Sequence, residues 1–563
     1  EIVPSKTTIS IPEAISQRHE PDYVSRANCG MYMFGPGRKY LRLGARGGSF
    51  GSHEIQHMFS TDEFAAHPEW FAFFKGKRQW WKYGNGWQIC TTNPGTVERA
   101  VRYIDEFFAR HPDAAVASVG QNDGAGWCEC APRTAFVHSF DPPYSYTERW
   151  FHWVNQVARE VARKHPGKWV EAMAYGSTSQ PPRFKLEDNV AITKTFVLED
   201  EFELAEKWMP VCKSVNLYSY MYGNSFMGFR HYPHAAQQFL QWGHGTLGAM
   251  AHVSESGGDW TFDGPKYHYI QALQWDVNTD VDEVMRNFCA DSYGKAAPPM
   301  QAFWDRLEAV YERRPPKPYG TKRKSWLFYQ WVSWAMNSYV QPNDEFAAYR
   351  MSDVDALDER MAEATRLAAE DSEAAQFRVA RIFDAWNYYR TMVESVLKHY
   401  PVGLDEIADS NRSAEQSIQL AGEIADLRAR RKRFGRRMMR YAHLNPRLAG
   451  KNYWSWGEAL TLFSHEQALI DELCTAAGDR RTREDGLEAT LAGWRKVPAT
   501  DHLYRYAQTQ LNMLARAELP DLLTNGGFES GTIDGWEVGS GTAVPTRDGA
   551  RTGDWALHCS PAQ

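Results

Sequence analysis

An α/β fold is the expectation: a (β/α)8 TIM-like barrel, then an α-helical domain, then the start of a β-sandwich module. Three observations predict it. Up to about Ala297, short apolar runs alternate with amphipathic stretches, the pattern of repeated βα units. From about Pro298 to about Glu518, long stretches of helical period dominate and strand signals are few. Past Leu523 the composition shifts to Gly, Thr and Asp with short alternating runs. The expected boundaries are 1–297, 298–518 and 519–563.

Taken in order, Ala114–Asp123 (AAVASVGQND) reads as a strand. Thr147–Lys168 reads as a helix, with Thr147 as N-cap and Pro166–Gly167 as its stop. Trp169–Ser177 and Asn189–Asp200 read as strands, and a short helix follows around Glu203–Trp208. Ser214–Asn224 alternates with period two, and Thr246–Trp260 is the last strand and its loop. Parallel strands in a closed barrel end on one face, where such barrels place their chemistry. In the second part, Ser352–Tyr400 is one long helical pattern, and Lys324–Val340 is aromatic enough to line a groove. The tail, with its NGGFESGT and GW, is similar to the opening of carbohydrate-binding β-sandwich modules. About forty residues are too few for a sandwich of roughly 100 residues, so a truncated module is expected.

A length of 563 residues leaves room for several domains. The formal net charge of −7 shows no basic stripe, which argues against nucleic acid as a partner. The densest basic run, Arg428–Arg440, reads as the solvated face of a helix. No run of eighteen apolar residues exists, so no membrane span is expected. The chain starts at Glu1 without a leader; a processed, secreted, periplasmic or cell-surface protein is expected. Eight Cys are too few for a disulfide scaffold. Cys128 and Cys130 form a lone CxC, read as a structural thiol pair or a strained disulfide before a metal. Neither a metal nor another cofactor is expected. The 22 Trp and 27 Tyr suit a core, and equally the flat surfaces that stack on sugar rings.

Three motifs carry chemistry. His53–His57 (HEIQH) matches the zinc-protease pattern, which needs a helix so that both His share a face. The glycine-rich Gly44–Ser52 before it is a poor helix lead-in, and Ser60 stands where a longer zinc-protease motif has Gly. The preferred reading puts His53 at the end of an early barrel strand, in reach of a substrate hydroxyl. Gln121, Asn122 and Asp123 follow an apolar strand, where a core gains nothing from them. Alternation forbids all three from facing inward, and the bland alternative is an Asx turn bent at Gly124. Glu255, in SESGGDW, ends a late strand. Apolar walls raise a carboxyl pKa, as a general acid near neutral pH requires; a Glu paired to a barrel cation is the alternative. Asp259 and Trp260 follow it, Trp260 as a stacking surface. Tyr175 ends another strand, and Tyr218, Tyr220 and Tyr222 share one strand face, as substrate contacts or as packing.

His67–Arg78, Gln88–Pro94 (QICTTNP), Ser118–Cys130 (SVGQNDGAGWCEC) and Leu273–Ala297 together resemble the bacterial family catalogued as domain of unknown function 4838, which overlaps glycoside hydrolase family 163. The resemblance runs from about His53 to Ala297 and more weakly beyond. It implies a (β/α)8 barrel and endo-β-N-acetylglucosaminidase activity on N-glycans, by retaining, substrate-assisted chemistry. Glu255 falls at the family's acid/base glutamate, Asn122 and Asp123 in its QND motif, and His53 at the His upstream of HPE. Two departures stand out. Many relatives carry CxCxxC, where this chain has Arg133 at the third position, and the N-terminal α/β domain common in relatives is not expected within the residues given.

In substrate-assisted hydrolysis the sugar's 2-acetamido oxygen attacks the anomeric carbon, an exception to the two-carboxylate scheme. Glu255 is the expected acid/base and Asp123, supported by Asn122, the acetamide partner, with Gln121 as a further substrate contact. A substrate without an acetamide would instead use both carboxylates, about 5–5.5 Å apart for retention or about 6.5–9.5 Å for inversion. A non-catalytic glycan-binding protein and a zinc peptidase remain alternatives. The expected partner is an oligosaccharide or glycoprotein glycan.

Overall fold

Six parallel strands organise the first part of the chain. A computed structural model describes residues 20–29, 53–78, 86–130, 145–196, 201–219, 229–255, 260–313 and 348–399, helical positions between 423 and 437, and 542–546 and 556–560. For a few of these, Glu255 and Trp260 among them, the backbone alone is described.

After β1 (Ser25–Cys29) comes a short antiparallel hairpin, β2 (Phe73–Phe74) and β3 (Lys77–Arg78). Then follow β4 (Val116–Ser118), β5 (Trp169–Ala174), β6 (Val190–Thr195), β7 (Ser214–Ser219) and β8 (Ala251–Glu255). The sheet order is β1-β8-β7-β6-β5-β4, and every pairing is parallel. The first strand therefore lies beside the last, as in a sheet curling towards closure. An open doubly wound sheet reverses its order part-way instead. The described residues contain a six-stranded parallel arc from β4 to β8 and on to β1, consistent with a TIM-like fold.

The helices are α1 (Ile55–Met58), α2 (Thr61–Ala66), α3 (Pro94–Arg110), α4 (Ser145–Lys164), α5 (Glu201–Glu206), α6 (Pro233–Leu247), α7 (Trp260–Trp275), α8 (Val281–Tyr293), α9 (Ala297–Glu312), α10 (Met351–Ala368) and α11 (Glu373–His399). Helices α3, α4, α5, α6 and α7 alternate with the strands, as the βα pattern predicts. Val170, Ala172, Ala174, Ile192, Val215 and Leu217 are buried together with Val154, Val157, Phe239 and Leu240 of α4 and α6. Alternate strand positions thus supply the layer between sheet and helices. Trp150, Trp153, Trp208, Trp304 and Trp386 are fully buried, so much of the aromatic excess is core. Trp153 Nε1–H donates to Thr96 Oγ1 at 3.0 Å and satisfies the polar edge of one of these rings.

Several boundaries differ from expectation for local reasons. Helix α4 starts at Ser145, and Thr147 is fully buried within it rather than capping it. Its stop holds: Gly167 takes a left-handed φ of 81°. Thr246 and Leu247 still belong to α6, which Gly248 ends at φ 62°, so β8 begins only at Ala251. The Ser352–Tyr400 pattern breaks into α10 and α11, because Ser372 Oγ accepts from Ala375 N–H at 3.2 Å and starts a new helix. The basic run is not wholly solvated: Phe434 is buried, and Arg437 pairs with the buried Asp384 at 2.7 Å.

The chain forms two compact units, residues 1–401 with 433–462, and residues 402–432 with 463–563. In the second, β9 (Thr542–Thr546) and β10 (Ala556–Ser560) form an antiparallel ladder. The rest of the expected sandwich, and the Lys324–Val340 groove, lie outside the described residues. Among the described residues no helix is long and apolar enough to cross a membrane.

Candidate functional site

Strand β4 delivers a polar loop to the carboxyl ends of the sheet. Gly120 O accepts from Glu54 N–H at 2.9 Å and Ile55 N–H at 3.1 Å, which joins the loop to the start of α1. Gln121 and Asn122 are each 1% exposed. Gln121 Nε2 donates to Thr178 Oγ1 at 2.7 Å and to Tyr175 O at 3.3 Å. Asn122 Nδ2 donates to Trp87 O at 2.8 Å. Gln88 Nε2 donates in turn to Asn122 O at 2.7 Å and Gly124 O at 3.0 Å, and its Oε1 accepts from Asn122 N–H at 3.3 Å. Both predicted substrate contacts therefore hold the loop through their amide nitrogens. Their oxygens, Gln121 Oε1 and Asn122 Oδ1, are buried without a hydrogen-bond partner among the described residues.

This scaffold leaves Asp123 exposed. Tyr175, just past the end of β5, donates its phenolic O–H to Asp123 Oδ1 at 3.0 Å. The His53 ring lies 6.0 Å from the Tyr175 ring, and His53 Nδ1 is 2.7 Å from Gln121 O. A hydrogen bond to a carbonyl requires that Nδ1 carry the proton, which leaves Nε2 as a free acceptor when the ring is neutral. Asp123, Tyr175 and His53 thus form one cluster, from segments 53, 123 and 175, at the end of the sheet where βα folds bind ligands.

Glu255 is the last residue of β8 and pairs in register with Cys29 of β1. It ends its strand at the same edge of the parallel sheet to which β4 and β5 bring Asp123 and Tyr175. Tyr218 is 7% exposed within β7, paired in register with Thr195 on one side and Val253 on the other. It is a packed residue rather than an open contact surface. Trp260 opens α7. Tyr220 and Asp259 lie outside the described residues.

Gly124 is needed for a reason other than a tight bend. A Cβ there would sit 2.3 Å from Gly86 Cα and 2.5 Å from Gly86 O, so two backbones touch at this point. Gly126 N–H donates to Gly86 O at 3.2 Å beside it.

The HEIQH pattern does not form a zinc-protease site. Helix α1 is a single turn that begins after Glu54, so His53 precedes it and its Nδ1 is held by Gln121 O. Glu54 Oε1 accepts from the Tyr103 hydroxyl, and burial together with Glu54 pushes the Tyr103 pKa up.

A protein-family model described as Domain of unknown function (DUF4838) matches residues 1–305, more than half of the chain. The chain belongs to the DUF4838 family. Solved structures similar to this DUF4838 chain include a family 89 glycoside hydrolase from Clostridium perfringens in complex with 2-acetamido-1,2-dideoxynojirmycin. It is 10% identical at a TM-score of 0.42, over 86% of this chain and 54% of that one. Another is a GH138 enzyme targeting pectin rhamnogalacturonan II, 9% identical at a TM-score of 0.31 over 69% of this chain and 65% of that one. The chain spans about half the length of the Clostridium structure. No curated protein matches its sequence.

Within the DUF4838 domain, sequence reasoning missed two groups. Gln88 lies 34 positions from its partner Asn122, and only the juxtaposition of QICTTNP with SVGQNDGAG pointed to it. Cys90, in the same QIC, turns the expected Cys128–Cys130 pair into a group of three thiols. Cys128 and Cys130 Sγ are 3.1 Å apart, so they form no disulfide bond, and Cys90 Sγ is 3.5 Å from Cys130 Sγ.

Proposed function

We propose that this DUF4838 chain is a glycoside hydrolase that cleaves a complex glycan. The preferred substrate is a β-N-acetylglucosaminide in N-glycans, as the overlap with glycoside hydrolase family 163 implies, cut with retention by substrate assistance. The observation that carries this reading is the exposed Asp123 carboxylate held by the Tyr175 hydroxyl at the carboxyl edge of the parallel sheet. A carboxylate there, free on one oxygen, suits an acetamide N–H. A phenol and an imidazole beside it suit the remaining polar groups of a sugar.

In this mechanism the acetamide oxygen attacks the anomeric carbon while Glu255 protonates the leaving oxygen. Asp123 orients the acetamide and stabilises the positive charge that develops on it. Glu255 then takes a proton from the water that opens the cyclic intermediate. Tyr175 and His53 place Asp123 and the sugar; Gln121, Asn122 and Gln88 fix the loop on which Asp123 rides. We take the six-stranded arc to belong to an eight-stranded barrel, with the helical region and the β9–β10 tail as further domains of a secreted or surface protein.

The test is incubation of wild type and Glu255→Gln with a panel of N-glycans and plant and bacterial polysaccharides, products being read by mass spectrometry. Loss of a positioned general acid lowers the rate by about 10²–10⁴. Equal product release by the two proteins would remove Glu255 from the role. Binding without cleavage of any glycan would favour a non-catalytic receptor.

A further inference from the structure

Cys90, Cys128 and Cys130 form, among the described residues, the one group of side chains whose ligand atoms all lie within 4.8 Å of one another in a metal-binding arrangement. We propose that this trio is a thiolate site for zinc or a like thiophilic divalent cation. Its role is to clamp the loop after Asp123 to the β2–β3 hairpin and the Trp87–Cys90 segment.

Four features support it. The sulfurs come from separate segments, one after the Phe71–Ile89 bridge and two from the loop beyond Gly126. A disulfide joins two thiols and would leave the third over, whereas a metal uses all three. Their spacing is close to what a metal needs: S···S separations of 3.1 and 3.5 Å open to about 3.8 Å around a tetrahedral ion with bonds of about 2.3 Å. That is an opening of a few tenths of an ångström, in a loop. The surroundings also suit anionic sulfur. Phe73 N–H donates to Cys128 Sγ at 3.2 Å, and Arg78 Nη1 stands 3.8 Å from the same atom. Three thiolates on a divalent ion leave one negative charge for that guanidinium to balance. Finally, the apolar cluster here is small: Ala72, Cys90 and Cys128, flanked by Phe73 and Cys130, separate from the main core. So few side chains bury little area, and a metal supplies the cohesion they lack. The Thr92 hydroxyl, 3.4 Å from Cys90 Sγ and 3.6 Å from Cys130 Sγ, or a water, takes the fourth position. On binding, each thiol gives its proton to solvent.

The experiment uses the whole chain, reduced, stripped with chelator and titrated with Zn²⁺ against a colorimetric competitor, and in parallel with Co²⁺. Wild type should bind one equivalent, show a thiolate-to-cobalt charge-transfer band, and unfold at a higher temperature with zinc. Cys212→Ser, which alters a thiol elsewhere, should behave as wild type. Cys128→Ser and Cys130→Ser should lose the band and bind zinc about tenfold or more weakly, with circular dichroism checking that they fold. Absence of a charge-transfer band in wild type, its persistence in both variants, or a Cys128–Cys130 disulfide formed in preference to zinc binding would overturn the site. None of these readouts depends on glycan cleavage.

Discussion

Asp123 stands exposed while Gln121 and Asn122, its two predecessors, are buried, and the difference is one of partners. The backbone and amides of 121 and 122 meet Gln88, Trp87, Thr178 and His53; among the described residues Asp123 meets a single phenol. Tyr175→Phe removes that one hydrogen bond to a charged group. Glycan cleavage should then fall by about tenfold, because such bonds contribute about 1.5 kcal/mol or more. Stability, followed by urea unfolding, should change by less than about 1 kcal/mol at this exposed pair. Gly124→Ala should lower stability as well as cleavage. Its new methyl group meets the Gly86 backbone, and overpacking of this kind costs about 1–3 kcal/mol. Sequence alone marked the polar triplet and the rule that alternate residues diverge, but not which residue stays free. That choice is made by Gln88 and Gly86, more than thirty positions upstream, and no local pattern reports so distant a neighbour.

At the scale of elements, two histidines set opposite pH limits. His252 of β8 is fully buried: Gln274 Nε2 of α7 donates to its Nδ1 at 2.8 Å, so Nε2–H donates to Ser219 Oγ of β7 at 2.8 Å. Burial lowers its pKa to about 3, as it does for the buried His231. The unfolded chain, with an ordinary value near 6.5, binds more protons, so stability falls as pH drops from about 6.5 towards 3. His234 of α6 behaves in the opposite way. Glu308 of α9 lies 3.1 Å from its Nδ1 and holds its pKa at about 9, so that contribution fades as pH rises from about 6.5 to 9. Thermal unfolding across pH should therefore peak near neutrality, and His234→Gln should flatten the alkaline side. A profile unchanged by that substitution would dissociate the pair from stability. The element order was legible because apolar runs and helical periods alternate. The ends were less so: Gly248 and Ser372 set boundaries by a left-handed turn and a hydroxyl cap, each a single residue inside a longer pattern.

For the molecule as a whole, charge makes a prediction about binding to polyanions. With a net charge of −7 and part of the Arg428–Arg440 run paired or buried, the protein should pass through a heparin column at physiological salt. Retention released by a salt gradient would show that this run forms an open basic face. The pairing of β1 with β8 has its own consequence for biosynthesis. Ser25 of β1 pairs opposite Ala251 of β8, which leaves the ribosome more than two hundred residues later. Until then β1 lacks its β8 partner, and contacts so distant in sequence form late and slowly. Until β8 emerges, the strand edge that will pair with it invites misplaced partners, so recovery of soluble protein should depend on what shelters that early strand.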